Sequence, residues 1–282
     1  MSRNRISSAT RAVVTGAGSG LGRAFVLELV RRGAAVVACD LDEPSARETA
    51  DLAAATEASA RVIPSYCDVT DSEQLEAAAA LCDRELGGVD LVVNNAGVAV
   101  SGRVEDVSLE DWRHVVDVNL WGVVYGCRAF VPRLRAQGRG GVINVASVAG
   151  LVSGPELGPY NVTKSGVVAL SETMFVELRG EGIDVTVLCP TFFRTGILDA
   201  ARGTNNDEDR DLARRAMERS RVQAPEVAAC ALDALERGRL YALPMRDGRV
   251  VWRLKRWMPE RFARSIPRMQ AFFRRAAERG SP

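Results

Sequence analysis

Lysine is almost missing from this chain: of its 37 basic residues only Lys164 and Lys255 are not arginine. Histidine is rarer still. His114 stands alone, in a helix-patterned stretch beside Trp112 and Arg113, and reads as a solvated or packing residue rather than a catalytic one. No cluster of His, Cys or carboxylates has ligand spacing, so no metal is expected. The six cysteines (Cys39, Cys67, Cys82, Cys127, Cys189, Cys230) contain no C-x-x-C pair, and several sit in apolar runs such as Val36-Val37-Ala38-Cys39. That argues against a disulfide framework and for a reducing, cytoplasmic setting. The amino terminus has no apolar h-region, so no signal peptide is expected. No run approaches the ~18 apolar residues of a spanning helix. With a net charge of +1 the whole molecule carries no nucleic-acid signature. There is no internal repeat and no low-complexity segment.

Short Val- and Ile-rich runs alternate with helix-patterned stretches. The strand candidates are Ala12–Thr15, Ala35–Cys39, Arg61–Tyr66, Leu91–Asn94, Val142–Ala146 and Asp184–Cys189, with a weaker one near Leu240–Leu243. Helices are expected over Leu21–Arg32, Pro44–Thr56, Asp71–Leu86, Leu109–Arg135, Pro159–Arg179 and Pro225–Arg237. Thr70-Asp71-Ser72-Glu73 has the form of a capping box, and Ser108 that of a helix start. Continuous apolar strands separated by helices indicate a parallel sheet buried on both faces, hence an α/β, doubly wound, Rossmann-type fold. The expected catalytic domain covers residues 8–243, followed by a basic extension over 244–282. A polar excursion is expected between Gly196 and Ser220.

After the first strand comes Thr15-Gly16-Ala17-Gly18-Ser19-Gly20-Leu21-Gly22. Glycines that close a strand and open a helix let backbone approach a pyrophosphate at the positive end of the helix. The spacing is G-x-x-x-G-x-G rather than G-x-G-x-x-G. Asp40 ends the second strand, followed by Leu41 and Asp42. A carboxylate there can accept both ribose hydroxyls of NAD and repel a 2′-phosphate, and neither neighbour is an arginine that would rescue NADP. The plainer alternative is that Asp40 caps the next turn. The expected cofactor is NAD.

Lys164 follows Tyr160 by four residues in G-P-Y-N-V-T-K, which on a helix sets an ammonium beside a phenol on one face. A compact point charge on a long stem suits that task better than a guanidinium fork.

Several separate motifs, in order over about residues 10 to 243, resemble the short-chain dehydrogenase/reductase family. The glycine turn, with Ser19 and Leu21 inside it, matches that family's nucleotide turn. Cys67-Asp68-Val69 matches its adenine-contacting Asp-Val, and Asn94-Asn95-Ala96-Gly97 its fourth-strand N-N-A-G. Asn119 in V-N-L-W-G matches its helix asparagine, and Ser147, Tyr160 and Lys164 have the spacing of its catalytic Ser-Tyr-Lys. Pro190-Thr191-Phe192-Phe193-Arg194-Thr195 resembles its P-G-x-x-x-T segment, with threonine in place of glycine. The resemblance implies a cofactor contact at Thr195, a water-anchoring role for Asn119, and a homodimer or homotetramer.

A free phenol titrates near 10, so a phenol acting as base at neutral pH must be lowered by about 2–3 units, worth about 3–4 kcal/mol. Lys164 and the positive ring of the oxidised cofactor are the expected sources of that shift. Tyr160 is then general base in oxidation and acid in reduction, with Ser147 holding the substrate oxygen. Pocket lining is expected from Val98, Val100, Val148 to Val152, Pro155 to Leu157, Phe192, Phe193 and Leu198. That set is apolar and suits a lipophilic secondary alcohol or its ketone. The alternative function is a cofactor-sensing or scaffolding protein of the same fold that has lost turnover.

From Arg239 onward there are twelve basic and three acidic residues, while the preceding part is net acidic. Met258, Phe262, Ile266, Met269 and Phe273 recur at helical steps, and Pro259 and Pro267 are expected to start two short helices. Three readings of this tail stand open: packing on the main domain or a partner subunit, contact with an anionic membrane, or nucleic-acid binding. The first is preferred, and nothing else in the chain supports the last.

Overall fold

The fold was analysed on a computed structural model, which describes residues 5–57, 59, 61–198, 201–203, 211, 214–215 and 217–267. The apolar runs form β1 (Arg11–Thr15), β2 (Ala35–Asp40), β3 (Val62–Tyr66), β4 (Leu91–Asn94), β6 (Gly140–Val145), β7 (Ile183–Leu188) and β9 (Tyr241–Ala242). These pair in parallel in the order β3-β2-β1-β4-β6-β7-β9. Chain order reverses between β1 and β4, the switch point where open α/β sheets bind their ligands. Every residue of β4 and β6 is buried, as strands covered on both faces must be. Two-residue strands β5 (Val100–Ser101) and β8 (Arg202–Gly203) make a separate pair. They are too short for sequence pattern to reveal.

Helices α1 (Gly20–Arg31) and α8 (Ala224–Glu236) cover one face through Phe25, Leu29, Val227 and Leu232. The other face packs under α3 (Ser72–Leu86), α5 (Gly122–Gln137) and α7 (Gly158–Leu178), with Leu75, Phe130 and Leu178 inside. Helix α2 (Glu43–Thr56) flanks β2 and β3. Of the expected excursion, Gly196–Leu198 form a 3₁₀ turn. Most of the remainder lies outside the described residues.

Two local readings change. Helix α3 is capped by Asp71, whose side chain accepts the Glu73 N–H at 2.9 Å. Thr70 turns its hydroxyl to the Asp68 carboxylate instead, at 2.8 Å. A capping box does occur at α8, where the Gln223 N–H donates to the Glu226 carboxylate. The helix expected over Leu109–Arg135 is α4 (Leu109–Val116) and α5 joined by a π turn, Asp117–Trp121. Such one-turn bulges often mark functional positions, and here Asn119 sits in it, drawn toward Val98.

The extension begins with α9 (Arg246–Trp257), ahead of the helical stretch that starts at Pro259. Pro267 is the last described residue, so the second expected helix lies outside the described residues, with Met269 and Phe273. Helix α9 packs on the main body: Met245 and Gly248 are buried, and Trp252 stacks obliquely on Tyr241 with ring centres 4.9 Å apart. Among the described residues no helix is long and apolar enough to cross a membrane.

Candidate active site

Parallel register brings the carboxyl ends of β1, β2, β3, β4, β6 and β7 to one edge, and the glycine turn, Asp40, Asp68, the Asn95–Gly97 turn, Ser147 and Pro190 follow these ends. At β1, Gly16 turns the chain at φ +64° and Gly20 enters α1 at φ +51°, in the region glycine tolerates best. A Cβ on Gly22 would lie 1.8 Å from the Gly16 carbonyl oxygen, so α1 packs against the turn as closely as backbone allows. Ser19, the N-cap of α1, is exposed and makes no side-chain cap bond. A helix start with uncapped N–H groups behind a glycine turn is a cradle for a phosphate.

Asp40 meets this turn directly. One carboxylate oxygen accepts the Gly18 N–H at 2.7 Å and the other the Asp42 N–H at 2.9 Å. Each oxygen keeps a lone pair for a further donor. The nearby cation, Arg23, is committed to the Gly18 carbonyl and to Glu48. Leu41 is exposed. After β3, which pairs beside β2, Asp68 accepts from Thr70, while Val69 packs against Gly122.

The N-N-A-G turn is bolted to the glycine turn. Thr15 Oγ1 accepts the N–H groups of Asn95 and Ala96 at 3.0 and 3.1 Å, and Asn95 Nδ2 donates to the Thr15 carbonyl at 2.8 Å. The Asn95 side chain therefore serves the turn. Asn119 holds the next residue by both backbone groups: its Oδ1 accepts the Val98 N–H at 2.8 Å, and its Nδ2 donates to the Val98 carbonyl at 2.9 Å. Gly97 lies between the two polar groups behind it, since a Cβ there would come 3.1 Å from Asn119 Oδ1 and 3.4 Å from Lys164 Nζ.

Ser147 caps the one-turn helix α6 (Val148–Leu151), its Oγ accepting the Ala149 N–H at 3.1 Å. Tyr160 lies in the first turn of α7, and Lys164 one turn on is buried with its Nζ donating to the Val145 carbonyl at 3.0 Å. Burial raises the Tyr160 phenol above its ordinary value, while hydrogen bonding to Ser147 works the other way. Burial pushes Lys164 down to about 8. Below that value Lys164 keeps its positive charge, buried beside the phenol. Pro190 accepts the Val148 N–H at 2.9 Å, and Thr195 reaches across to the cradle, its Cβ 3.8 Å from the position of a Cβ on Gly20.

The expected pocket wall is partly redrawn. Phe193 is buried in the core with α1 and α8, whereas its neighbour Phe192 is half exposed, as adjacent residues of an extended segment face opposite ways. Val100 and Leu151 are also buried in core clusters. The side chain of Leu198 lies outside the described residues. Sequence reasoning missed Lys255, whose Nζ donates to the Leu151 carbonyl at 2.8 Å. Its rarity, the signal that singled out Lys164, was there to be read.

Cradle, carboxylate and the Ser-Tyr-Lys group thus gather at the switch point of the sheet, where open α/β folds bind their ligands. Residues 10–206 match the profile of the short chain dehydrogenase family. The chain is 37% identical to the 1-deoxy-11-beta-hydroxypentalenate dehydrogenase of Streptomyces exfoliatus, over 85% of this chain and 84% of that protein. It is 41% identical to the probable oxidoreductase EphD of Mycobacterium tuberculosis over 66% of this chain, but spans only 31% of that relative's length. Among solved structures, a short chain dehydrogenase/reductase from Burkholderia phymatum in complex with NAD superposes with a TM-score of 0.83 at 36% identity, covering 89% of this chain and 94% of the other. The chain belongs to the short chain dehydrogenase family.

Proposed function

We propose that the protein is an NAD-linked dehydrogenase of an apolar secondary alcohol, or the reductase of the corresponding ketone. The coarser statement, an oxidoreductase using NAD or NADP, follows from the family. The observation that carries the finer one is the meeting of Ser147, Tyr160 and buried Lys164 beside Gly97, across the sheet edge from a cradle whose acidic end is Asp40. The residues fit a dinucleotide: Gly16, Gly18, Ser19, Gly20, Leu21 and Gly22 for the pyrophosphate, Asp40 and Leu41 for one ribose, and Asp68 and Val69 for the adenine. Asn95, Ala96, Gly97, Pro190 and Thr195, with Tyr160 and Lys164, would form the nicotinamide side.

The bound dinucleotide supplies the hydride acceptor in oxidation and the donor in reduction. Ser147 holds the substrate oxygen where charge develops, and Tyr160 Oη takes the hydroxyl proton or returns it. Lys164 holds the segment before Ser147 in place through Val145 and supplies a positive charge below its pKa. Asn119 fixes Val98 at the pocket mouth and anchors the route by which the proton leaves. Preference for NAD rests on Asp40 and on the absence of a free cation beside it among the described residues, since Arg23 is engaged. The apolar side chains near the Ser147 segment and the half-exposed Phe192 favour a lipophilic substrate.

The test is incubation with NAD and a panel of apolar secondary alcohols, following NADH absorbance, with Tyr160→Phe alongside. Turnover abolished in the variant supports the reading. Faster turnover of short sugars or hydroxy acids would overturn the substrate class.

A further inference from the structure

The short helix that carries Ser147 has little of its own to hold it. A single turn leaves most of its carbonyls without partners inside the helix. Three outside contacts meet them or its backbone. Ser165 on α7 donates to the Gly150 carbonyl at 3.0 Å, and Gly150 lies so close to Lys164 that a Cβ would come 2.5 Å from the Lys164 carbonyl oxygen. The Val148 N–H donates to Pro190. The last carbonyl, Leu151, receives the ammonium of Lys255 at 2.8 Å, across 104 residues of sequence.

Lys255 is itself held. Trp252, one turn before it, lies against Tyr241, and the Tyr241 hydroxyl bonds to Glu172 on α7. At the start of α9, Thr191 Oγ1 stands 3.3 Å from Asp247 Oδ1, and a Cβ on Gly248 would come 2.8 Å from Thr191 Cγ2 and 3.6 Å from Val148 Cγ2. Helix α9 therefore touches the Ser147 helix and the Pro190–Thr195 segment, and reaches α7 through Tyr241. The chain's two lysines bracket Ser147, one bound to Val145 two residues before it and the other to Leu151 four residues after.

From this arrangement we infer that Lys255 is a positioning residue for Ser147: it ties off the far end of the one-turn helix and thereby fixes the serine hydroxyl against Tyr160. The inference rests on the roles proposed for Ser147 and Tyr160. It also gives α9 a part in turnover that the nucleotide side does not share.

The test uses the full chain, Lys255→Met and Lys255→Arg, with NAD and an alcohol that the wild type oxidises. Lys255→Met should lower kcat on the order of tenfold or more, a small displacement of a reacting group being enough for that, with KM for NAD unchanged. The Ser147 hydroxyl depresses the Tyr160 pKa. A displaced serine should therefore move the acidic limb of the kcat/KM profile to higher pH, and Lys255→Arg, which keeps a donor, should restore both. Unchanged kcat, a lowered plateau with an unmoved limb, or an Arg variant no better than Met would overturn the inference. So would loss of NAD binding in Lys255→Met, because the residue would then support the whole fold. Wild-type turnover in Ser147→Ala and Tyr160→Phe would instead sink the reading of the active site. If those are silent and Lys255→Met is fully active, only the inference on Lys255 fails.

Discussion

The ammonium of Lys164 lies over the face of the Tyr160 ring, 5.7 Å from its centre. It donates its hydrogen bond to the Val145 carbonyl rather than to the phenol. Lysine and tyrosine share a helix face, yet in the protein alone burial dominates and holds the Tyr160 pKa above its ordinary value. Ser147 is the protein group that pulls the other way.

Removing that hydroxyl has a signed consequence. Oxidation needs the deprotonated phenol, so activity rises with pH along an acidic limb governed by Tyr160. Ser147→Ala should shift the limb to higher pH, and the deficit at pH 7 should exceed that at pH 10. Tyr160→Phe should lose about a thousandfold in kcat and show no limb. Profiles of kcat/KM from pH 6 to 10.5 at saturating NAD decide it. A serine variant slowed equally at every pH would mean the hydroxyl acts only on substrate.

Lys164 should cost the fold stability at neutral pH. Its folded-state value of about 8 lies below the ordinary 10.5. Below pH 8 both states hold the proton, and the folded protein bears the full penalty of a buried ammonium. Between 8 and 10.5 the folded state releases it first, the unfolded state binds more protons, and stability rises with pH. A shift of that size corresponds to about 3 kcal/mol at most. Lys164→Met should therefore be inactive but at least as stable as the wild type at pH 7, with its advantage shrinking toward pH 10.5. Urea unfolding of the two proteins at pH 7 and pH 10 measures this. A variant clearly less stable at pH 7 would show that the bond to Val145 outweighs desolvation.

The inner strands of the sheet were legible because they are buried on both faces and so carry uninterrupted apolar runs, β4 and β6 most of all. The glycine turn and the Tyr160–Lys164 pair are local in sequence, so spacing alone exposed them. What stayed hidden depends on side-chain direction or distant partners. Nothing local tells that Phe193 turns into the core while Phe192 stays at the surface. The π turn carries Asn119, whose partner Val98 lies 21 residues away in sequence. Helix α9 escaped notice because its inner face is made of Gly248, Trp252 and Lys255, a mixture with no apolar period, whereas Val250, Leu254 and Trp257 face outward.

Cofactor choice turns on Asp40, whose oxygens accept from Gly18 and Asp42. If the carboxylate also holds a ribose, Asp40→Ala should weaken NAD through lost charged hydrogen bonds, each about 1.5–3 kcal/mol. Removing its repulsion of a 2′-phosphate should offset that loss for NADP. The ratio of kcat/KM for NAD over NADP should then fall at least about tenfold. Equal losses with both cofactors would mean that Asp40 only ties the turn together.

Gly22 offers the sharpest steric test of the cradle. A Cβ there would stand 1.8 Å from the Gly16 carbonyl oxygen and 2.7 Å from Asn95 Nδ2. The oxygen is backbone, and Asn95 Nδ2 bonds to both the Thr15 and Gly16 carbonyls, so neither can yield alone. Gly22→Ala must push α1 away from the turn, at a cost of about 1–3 kcal/mol typical of overpacking. The displacement also separates the helix N-terminus from the glycine turn, which is where the pyrophosphate is expected. Dinucleotide affinity should fall at least tenfold by fluorescence titration, with a lowered Tm. Gly180→Ala is the control, because a Cβ there meets nothing within 4 Å. Undiminished NAD affinity in Gly22→Ala would mean that the pyrophosphate does not rest on this turn, and the assignment of the whole glycine-rich cradle would fall with it.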